Sequence, residues 1–408
     1  GVDTIITDHH HVPDGDLPPA VAVINPRAPH SAYGFDHLTG VGMTLKVAQA
    51  LLAPEHPTDW ADGLLELAAI GTITDMAPLQ GENRYIVHHG LAQLRTTRSV
   101  GLRALLAAGR VEPAHATAET IGFTIGPRIN AAGRLDHADT ALALLVTDSP
   151  EQAAGLVSEL DALNSERQRL TEQTLEAARA LVPVVLPPLL AVGDPAFNPG
   201  VVGLVAGKLA EEFGVPAFVY TMEGGQVMAS CRSTPGFHWA EALGSCEGML
   251  TRFGGHAQAA GFACAPDALP LLTTRLQDIA AEQLGDAPPA PEGVVDAEVS
   301  LRELMGPTFS ALRRMEPHGV GNPSPVFLSR GLAVEQARTM GADGAHFRLN
   351  LRADGARWEA VAFRQRWELG TEAVDLVYTI GVDHWNGQER LRLTVLDYAP
   401  APLPPVTR

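Results

Sequence analysis

The sequence predicts an α/β protein that ends in a small β-barrel, and three patterns support this prediction. Short apolar runs alternate with stretches of helical period over residues 1–148, and the alternation returns over residues 184–286. A single helical period connects these regions over residues 149–183. Over residues 292–400, five short alternating runs are separated by Gly and Asp turns, as in small β-barrels. With 408 residues the chain exceeds the usual size of one hydrophobic core, so several domains are expected.

The first region begins directly with a strand. The β-rich run Val2–Thr7 is bounded by polar residues and predicts a buried parallel strand. A second run follows at Ala20–Ile24, before helical periods at Gly42–Leu52 and Leu64–Ile70. A parallel strand needs neighbours in its sheet, and the chain starts at Gly1 without an initiator Met. We therefore expect the chain to be a piece of a longer protein.

The later elements are predicted from the same signals. Ser149 and Pro150 fit an N-cap and a first-turn proline, so they predict a long helix that ends before Pro183. A helix after Pro266 closes the next region, whose other elements are expected at Leu189–Val192, Val201–Phe213, Ala217–Tyr220, Gln226–Arg232 and Gln258–Cys264. The Pro-rich stretch 286–291 predicts a linker. The barrel strands, of which an OB-fold has five, are expected at Val326–Leu328, Ala345–Leu351, Glu359–Phe363, Val374–Ile380 and Arg390–Leu396.

The composition limits the kinds of function. The formal net charge of −18 excludes a protein that coats nucleic acid through bulk positive charge, although a local basic groove is compatible with it. No apolar run reaches the roughly 18 residues of a membrane span, so we expect no membrane segment. The three cysteines are odd in number and lack metal-type spacing, which favours the reducing cytoplasm over a disulfide framework.

Two polar stretches are candidates for a metal site. Asp8, His9 and His10 directly follow the first strand, and open α/β sheets bind ligands beyond the carboxyl ends of their strands. Imidazole is a common metal ligand that an adjacent carboxylate can orient; the alternative is a solvated loop that contains histidines. Asp75 lies in the Gly/Pro-bounded stretch 71–78. It either completes a mixed oxygen and nitrogen set suited to Mn²⁺ or Mg²⁺, or it is the N-cap of a helix near residue 84.

The order of the motifs resembles that of one enzyme family. Asp8-His9-His10 and GTITD at residues 71–75 are similar to the third and fourth motifs of the DHH phosphoesterase superfamily. Further stretches resemble the RecJ-type exonucleases of that superfamily, namely IGPRINAAGRL at 125–135, NPGVVGLVAG at 198–207, FGGHAQAAGF at 253–262, GNP at 321–323 and WNG at 385–387. The resemblance implies a partial parallel-sheet DHH catalytic domain (1–148), a connecting helix (149–183), an α/β DHH-associated substrate-binding domain (184–286) and an OB-fold single-strand-binding domain (292–400).

The resemblance also implies a two-metal site that uses Mn²⁺ or Mg²⁺. By analogy, His9 and Asp75 ligate metal, His10 contacts the scissile phosphate, and Asp8 orients the histidines or ligates directly. The first and second motifs, which supply further aspartates, have no counterpart and would precede Gly1, so the chain is expected to hold only part of the site. The implied reaction is 5′→3′ degradation of single-stranded DNA to 5′-mononucleotides.

Several residues outside the metal site are candidates for DNA contact. Arg128, Asn130 and Arg134 could hold phosphates, because guanidinium groups match phosphate oxygens; alternatively the arginines anchor the helix through ion pairs. The DHH-associated region is expected to hold the 5′ end of the strand. Its candidates combine backbone that can approach a phosphate with polar or charged side chains: Ser230, Arg232, Gly254, Gly255 and His256.

The predicted barrel offers aromatic residues interleaved with arginines, which suits base stacking beside phosphate contacts. Trp385 precedes the turn signal Asn386-Gly387, so we expect it at an exposed hairpin tip where it stacks on a base. Alternation along strands means that about half of the barrel side chains point inward. The sequence leaves open which half that is.

Three functions are compatible with these residues. The first is a RecJ-type exonuclease active in DNA recombination and repair, with single-stranded DNA as substrate and a single-strand-binding protein and a repair helicase as partners implied by the resemblance. The second is a hydrolase of short oligonucleotides or cyclic dinucleotides. The third is a non-catalytic single-strand-binding scaffold. The predicted barrel disfavours the second, because small substrates need no extended track.

Overall fold

The computed structural model describes residues 2–12, 17–29, 31–52, 63–285, 293–341, 344, 346–353, 355–365, 367, 371–385 and 388–402, with backbone alone at 383–385 and 388–389. The predicted linker at 286–291 lies outside these ranges. The chain divides into two compact units: Gly1–Arg98 with Leu106–Gly126 and Gly293–Arg408, and Ser99–Leu105 with Pro127–Glu292. Within the described ranges, no helix is long and apolar enough to cross a membrane.

The first unit begins with two parallel strands, β1 (Ile5–Thr7) and β2 (Ala22–Ile24). The parallel pairing is as predicted, but the prediction of a buried strand was wrong. Ile5 is 63% exposed, because two short strands cover little of each other's faces. The helices that follow are α1 (Gly40–Leu52), α2 (Leu64–Thr74) and α3 (Gly81–Leu94). The next helix, α4 (Val100–Ala108), belongs to the second unit up to Leu105.

The core of this part joins helices α1, α2 and α3 and the segment before α1. Its buried members are apolar side chains: Leu38, Met43, Leu45, Ala68 and Ile86. A further helical stretch consists of α5 (Ala118–Thr120), a π-helical turn (Ile121–Ile125) and α6 (Gly126–Leu135), which belongs to the second unit from Pro127 on. Thr117 begins it with a capping box, in which its hydroxyl accepts from Thr120 N–H.

The second unit contains α7 (Asp139–Val146) and the predicted long helix, α8 (Pro150–Ala180). Ser149 is its N-cap, as predicted, and the Ser149 hydroxyl accepts from Gln152 N–H at 3.2 Å. A mixed sheet follows in the order β3-β4-β5-β7-β6. Its elements, in chain order, are β3 (Leu190–Gly193), α9 (Val202–Phe213), β4 (Ala217–Glu223), β5 (Gln226–Arg232), α10 (Trp239–Gly244), β6 (Arg252–Gly255), β7 (Ala259–Cys264) and α11 (Leu269–Leu284).

The C-terminal part of the first unit is a closed five-stranded barrel, which confirms the predicted OB type. A short strand, β8 (Ala297–Glu298), and helix α12 (Pro307–Arg313) precede it. The barrel strands are β9 (Phe327–Met340), β10 (His346–Ala353), β11 (Ala356–Ala362), β12 (Ala373–Trp385) and β13 (Gln388–Pro400). Strand β9 pairs with both β10 and β12, and β11 pairs in parallel with β13, so no edge remains between the five strands.

Candidate functional site

The loop after β1 is held in shape by one carboxylate. Asp8 Oδ1 accepts from the backbone N–H of His9 at 2.7 Å and of His10 at 3.3 Å, and it lies 2.7 Å from His10 Nδ1. From the other side, the Asn25 amide donates to the carbonyl of His10 at 2.9 Å. The loop after β1 therefore takes this shape because a short acidic side chain accepts hydrogen bonds from the backbone N–H groups of the two residues that follow it.

This arrangement sets the chemistry of His10. Partial burial raises the pKa of Asp8, but hydrogen bonds from the His10 ring and from the His9 and His10 backbone outweigh it, so the pKa lies below its ordinary value of 3.8. The carboxylate is thus a stable partner for His10 Nδ1. Nε2 remains as the ring atom that can meet a ligand, and the His10 side chain is 64% exposed.

The structure brings His9 to Asp75. His9 Nδ1 lies 4.0 Å from Asp75 Oδ2, and the His9 ring rests against the first residue of α1, Gly40. Asp75 follows the last turn of α2, where its N–H donates to Gly71 O at 3.0 Å. The N-cap alternative for Asp75 was therefore wrong: the aspartate is the C-cap of α2, and Gln80 holds the N-cap position of α3.

His9 and Asp75 are close enough to hold one divalent ion, with Asp8 and His10 beside them. One ligand atom from each of Asp8, His9 and His10 lies within 4.8 Å of the other two. Two atoms bound to one ion can be separated by at most about 4.2 Å, twice a metal–ligand distance of about 2.1 Å. The 4.0 Å between His9 and Asp75 is inside that limit, so both side chains could hold the same ion. A carboxylate and an imidazole are ligands that Mn²⁺ accepts.

In the second unit, the three α6 residues predicted to contact phosphate, Arg128, Asn130 and Arg134, have different environments. Arg128 Nε donates to Asp161 Oδ1 of α8 at 2.6 Å, so the ion pair that we considered as the alternative is formed. Asn130 and Arg134 are exposed. Arg134 Nη1 donates to the carbonyl of Gly200 at 3.4 Å, which places it beside the loop that leads into α9.

Ser230 and Arg232, at the end of β5, lie over the first turn of α9. A Cβ added at Gly203 would lie 3.2 Å from Arg232 Nη2 and 3.4 Å from Ser230 Oγ. Glycine at this position therefore leaves room for both side chains. The α9 N-cap is Val201, whose apolar side chain cannot satisfy the first N–H groups of the helix. A helix N-terminus and an arginine together favour an anion.

Arg167, on α8, belongs to this cluster and was missed by sequence reasoning. Burial lowers the pKa of Arg167 and of Arg232, and the positive charge of Arg134 lowers both further. Arg167 donates to the neutral Asn164 side chain at 2.8 Å. Arg134 thus repels both Arg167 and Arg232, and a bound anion would relieve that repulsion. No local motif marks Arg167, because only the tertiary fold brings α8 to α6 and β5.

The predicted glycine pair forms the end of β6, in the hairpin that β6 makes with β7. Gly254, Gly255 and His256 are all exposed, and His256 N–H donates to Ala259 O at 2.8 Å. Gly255 has φ 137°, and a Cβ there would lie 2.4 Å from the Cα of Ala260, so only glycine fits. The turn therefore offers exposed backbone, as a phosphate contact requires.

The barrel carries a groove of about 1000 Å³ across β9, β10, β11 and β13. Four arginines and two glutamates are among its lining residues: Arg348, Arg357, Arg390, Arg392, Glu335 and Glu359. Arg357 pairs with Glu335 at 2.8 Å and Arg348 with Glu359 at 3.6 Å. The arginines outnumber the acids, so the groove is locally basic in a chain that is acidic overall.

The barrel aromatics divide as alternation requires. Phe347, Trp358 and Tyr378 are buried in the core, whereas Phe363 is 51% exposed. The side chain of Trp385 and the turn at Asn386-Gly387 lie outside the described residues. The backbone of Trp385 pairs with Gln388 where β12 meets β13.

Comparisons with known proteins agree with this architecture. A family model of the DHHA1 domain matches residues 181–282, and one of the RecJ OB domain matches residues 295–397. The single-stranded-DNA-specific exonuclease RecJ of Bacillus subtilis is 35% identical over 407 residues, which cover 98% of this chain and 51% of that protein. The protein of the same name from Dickeya dadantii is 32% identical, with 97% of this chain and 73% of that protein covered.

A solved structure supports the same assignment. The crystal structure of RecJ in complex with Mn²⁺ from Thermus thermophilus superimposes with a TM-score of 0.82 and 34% sequence identity, over 99% of this chain and 59% of that one. This chain spans about half the length of the Bacillus subtilis relative. Because the identity extends over almost the whole chain, and over most of the Dickeya dadantii protein, the chain belongs to the RecJ family.

Proposed function

We propose that this chain is part of an exonuclease that degrades single-stranded DNA in the 5′→3′ direction and releases 5′-mononucleotides. The observation that carries the proposal is the 4.0 Å separation of His9 Nδ1 and Asp75 Oδ2, which lies within the limit for two ligands of one ion, beside Asp8 and His10. The solved RecJ relatives contain Mn²⁺ or Mg²⁺, which supports the same divalent cofactors here.

Each residue of the metal site has a separate role in this proposal. His9 and Asp75 would hold a divalent ion, and Asp8 would fix the loop and orient His10. When bound, a pair of divalent ions activates a water and stabilises the attacking and leaving oxygens of an in-line displacement at phosphorus. His10, held through Nδ1, would turn Nε2 toward an oxygen of the scissile phosphate.

The strand would be held by contacts in both units. In the second unit Arg134, Ser230 and Arg232 would bind a phosphate at the first turn of α9, and Gly254, Gly255 and His256 would offer a second contact. Arg128 and Asn130 would contact the backbone from α6. In the barrel, the arginine-lined groove would carry the strand. From its place in the sequence, Trp385 is proposed to stack on a base.

An arginine-lined groove on an OB-type barrel supports a single strand over a cyclic dinucleotide, because such barrels bind single strands along a positively charged groove. A role in recombination and repair, beside a single-strand-binding protein and a helicase, is the setting we propose. The cytoplasm is the proposed compartment. The three cysteines of the chain, all within the described ranges, are buried and form no disulfide, which suits a reducing environment.

The test is Mn²⁺-dependent release of mononucleotides from single-stranded DNA labelled at the 5′ or the 3′ end, with the 408-residue chain and with the full-length product of its gene. Early release of the 5′ label by the full-length protein supports the proposal. Equal turnover of dinucleotides and long strands would indicate the small-substrate hydrolase. Strand binding without metal-dependent release by either protein would indicate the scaffold.

A further inference from the structure

A segment before the barrel binds the turn that carries Asp75. We define Met315–Asn322 as the docking loop; it contains the first two residues of the GNP stretch, to which no role has been assigned above. Leu79 N–H, in the α2–α3 turn, donates to Val320 O at 2.6 Å. The side chain of Gln80 donates to Gly321 O at 2.9 Å. The docking loop therefore satisfies donors of a turn that is distant in sequence.

A charged side chain completes the contact. Arg84 Nη2, in the first turns of α3, donates to Met315 O at 2.6 Å and to Glu316 O at 3.2 Å. Packing is equally close, because a Cβ at Gly319 would lie 2.7 Å from Leu79 Cδ1. Backbone carbonyls of the docking loop thus accept hydrogen bonds both from the α2–α3 turn and from helix α3.

The shape of the docking loop depends on Asn322. Its side-chain amide donates to Pro317 O at 2.8 Å and to Met315 O at 3.1 Å. Its backbone pairs with Gly319 in both directions, at 2.9 and 3.1 Å. One residue therefore presents the carbonyl of Met315 to Arg84 and holds the turn in which Val320 meets Leu79.

The α2–α3 turn needs such support. Met76, directly after Asp75, has φ 57°, a left-handed conformation that side chains other than glycine adopt rarely. Strained backbone of this kind persists where surrounding contacts hold it in place. Asp75 itself is about half exposed, so its own side chain is poorly restrained by packing.

We infer that Asn322 and Arg84 are positioning residues for the metal site: through the docking loop they fix the α2–α3 turn and hold the Asp75 carboxylate opposite His9. This inference rests on the proposed function, because it assumes that Asp75 ligates metal. It connects the region before the barrel to the chemistry of the first unit.

The experiment measures Mn²⁺ affinity by calorimetric titration of the full-length protein. Arg84→Ala and Asn322→Ala are expected to weaken Mn²⁺ binding by about tenfold or more, as loss of groups that orient metal ligands does elsewhere. Arg84→Lys should restore part of the affinity, since an ammonium group can still donate to Met315 O. Hydrogen exchange at the Leu79 amide should be faster in both alanine variants.

Two further variants make the result decisive. Gln365→Ala is the matched control, because it removes another amide-to-carbonyl bond, Gln365 Nε2 to Leu396 O at 2.7 Å, within the barrel. Its Mn²⁺ affinity should equal that of the wild type. If Asp75→Ala weakens Mn²⁺ binding but the Arg84 and Asn322 variants do not, the inference is overturned and the proposed function stands. If Asp75→Ala also binds Mn²⁺ normally, both are overturned.

Discussion

His9 Nδ1 and Asp75 Oδ2 lie 4.0 Å apart, although helices α1 and α2 separate the two residues in sequence. The distance is too long for a hydrogen bond and suits two ligands of one ion. The His9 side chain is 21% exposed and that of Asp75 52%, and neither belongs to the hydrophobic core cluster of this part of the chain. The pair is therefore arranged as two ligands of one ion would be.

His9→Ala should lower Mn²⁺-dependent nucleotide release by more than the roughly 10- to 100-fold that loss of a ligand-orienting group costs. The circular dichroism spectrum and melting temperature should change little, because His9 lies outside the hydrophobic core cluster of helices α1, α2 and α3. His88→Ala, an exposed histidine of α3, is the control. Full Mn²⁺-dependent activity in His9→Ala would remove it from the ligand set.

The metal site also shows what could be predicted from sequence. Asp8, His9 and His10 follow a strand end, and that position made them candidates for a metal site, with a solvated loop as the alternative; the family resemblance implied their separate roles. Asp75 was harder, because Gly71 suggested a turn. In the structure Gly71 lies within α2, and a Cβ there would lie 2.5 Å from Val41 Cγ2. This glycine allows α1 and α2 to pack closely, and such a tertiary reason leaves no local signal.

Strand binding in the barrel groove should depend on Arg348 and Arg357. Replacing either by alanine should weaken binding of a long single strand and reduce the slope of log affinity against log salt by about 0.7, the value for one phosphate contact. The comparison is a fluorescence-anisotropy titration at several salt concentrations. Arg330→Ala is the matched control, since Arg330 pairs with Glu298 and Asp375 outside the groove. An unchanged salt slope in both groove variants would exclude them from the track.

The barrel strands were predictable, but the side of each residue was not. Alternation placed Phe347, Leu349 and Leu351 on one face of β10 and Arg348 on the other. Which face is the interior depends on how β9 closes on β10, a long-range pairing with no signature in the strand itself. The basic groove therefore became visible only in the folded barrel.

The cluster of Arg134, Arg167 and Arg232 in the second unit should favour anion binding and lower the stability of the fold. Arg134→Gln removes a charge that repels Arg167 and Arg232, so the melting temperature should stay the same or rise. Binding of a 5′-phosphorylated strand should weaken more than that of a 5′-hydroxyl strand. Arg179→Gln, which breaks an exposed ion pair with Glu212, is the control and should leave both affinities unchanged. Equal losses for the two strands in Arg134→Gln would contradict a phosphate site at this cluster.

Glu66 predicts how stability responds to pH. This residue of α2 is only 4% exposed, and burial raises the pKa of its carboxyl group above 4.5, while a hydrogen bond from Thr97 at 3.0 Å partly opposes that shift. Its second oxygen, Oε2, has no hydrogen-bond partner among the described residues. The folded state therefore favours the neutral form of Glu66 more than the unfolded state does.

Because the pKa of Glu66 is higher in the folded than in the unfolded protein, this residue contributes to stability below pH 4.5. The contribution is lost as the pH rises through the folded-state pKa. Glu66→Gln keeps a neutral group of the same shape, so it should raise the melting temperature at pH 7 and have little effect near pH 4. Thermal unfolding of both proteins from pH 4 to pH 8 measures this difference. Glu119→Gln, an exposed glutamate of α5, is the control and should follow the wild type at every pH. If the melting temperature of Glu66→Gln at pH 7 is lower than that of the wild type, the folded protein stabilises the charged carboxylate.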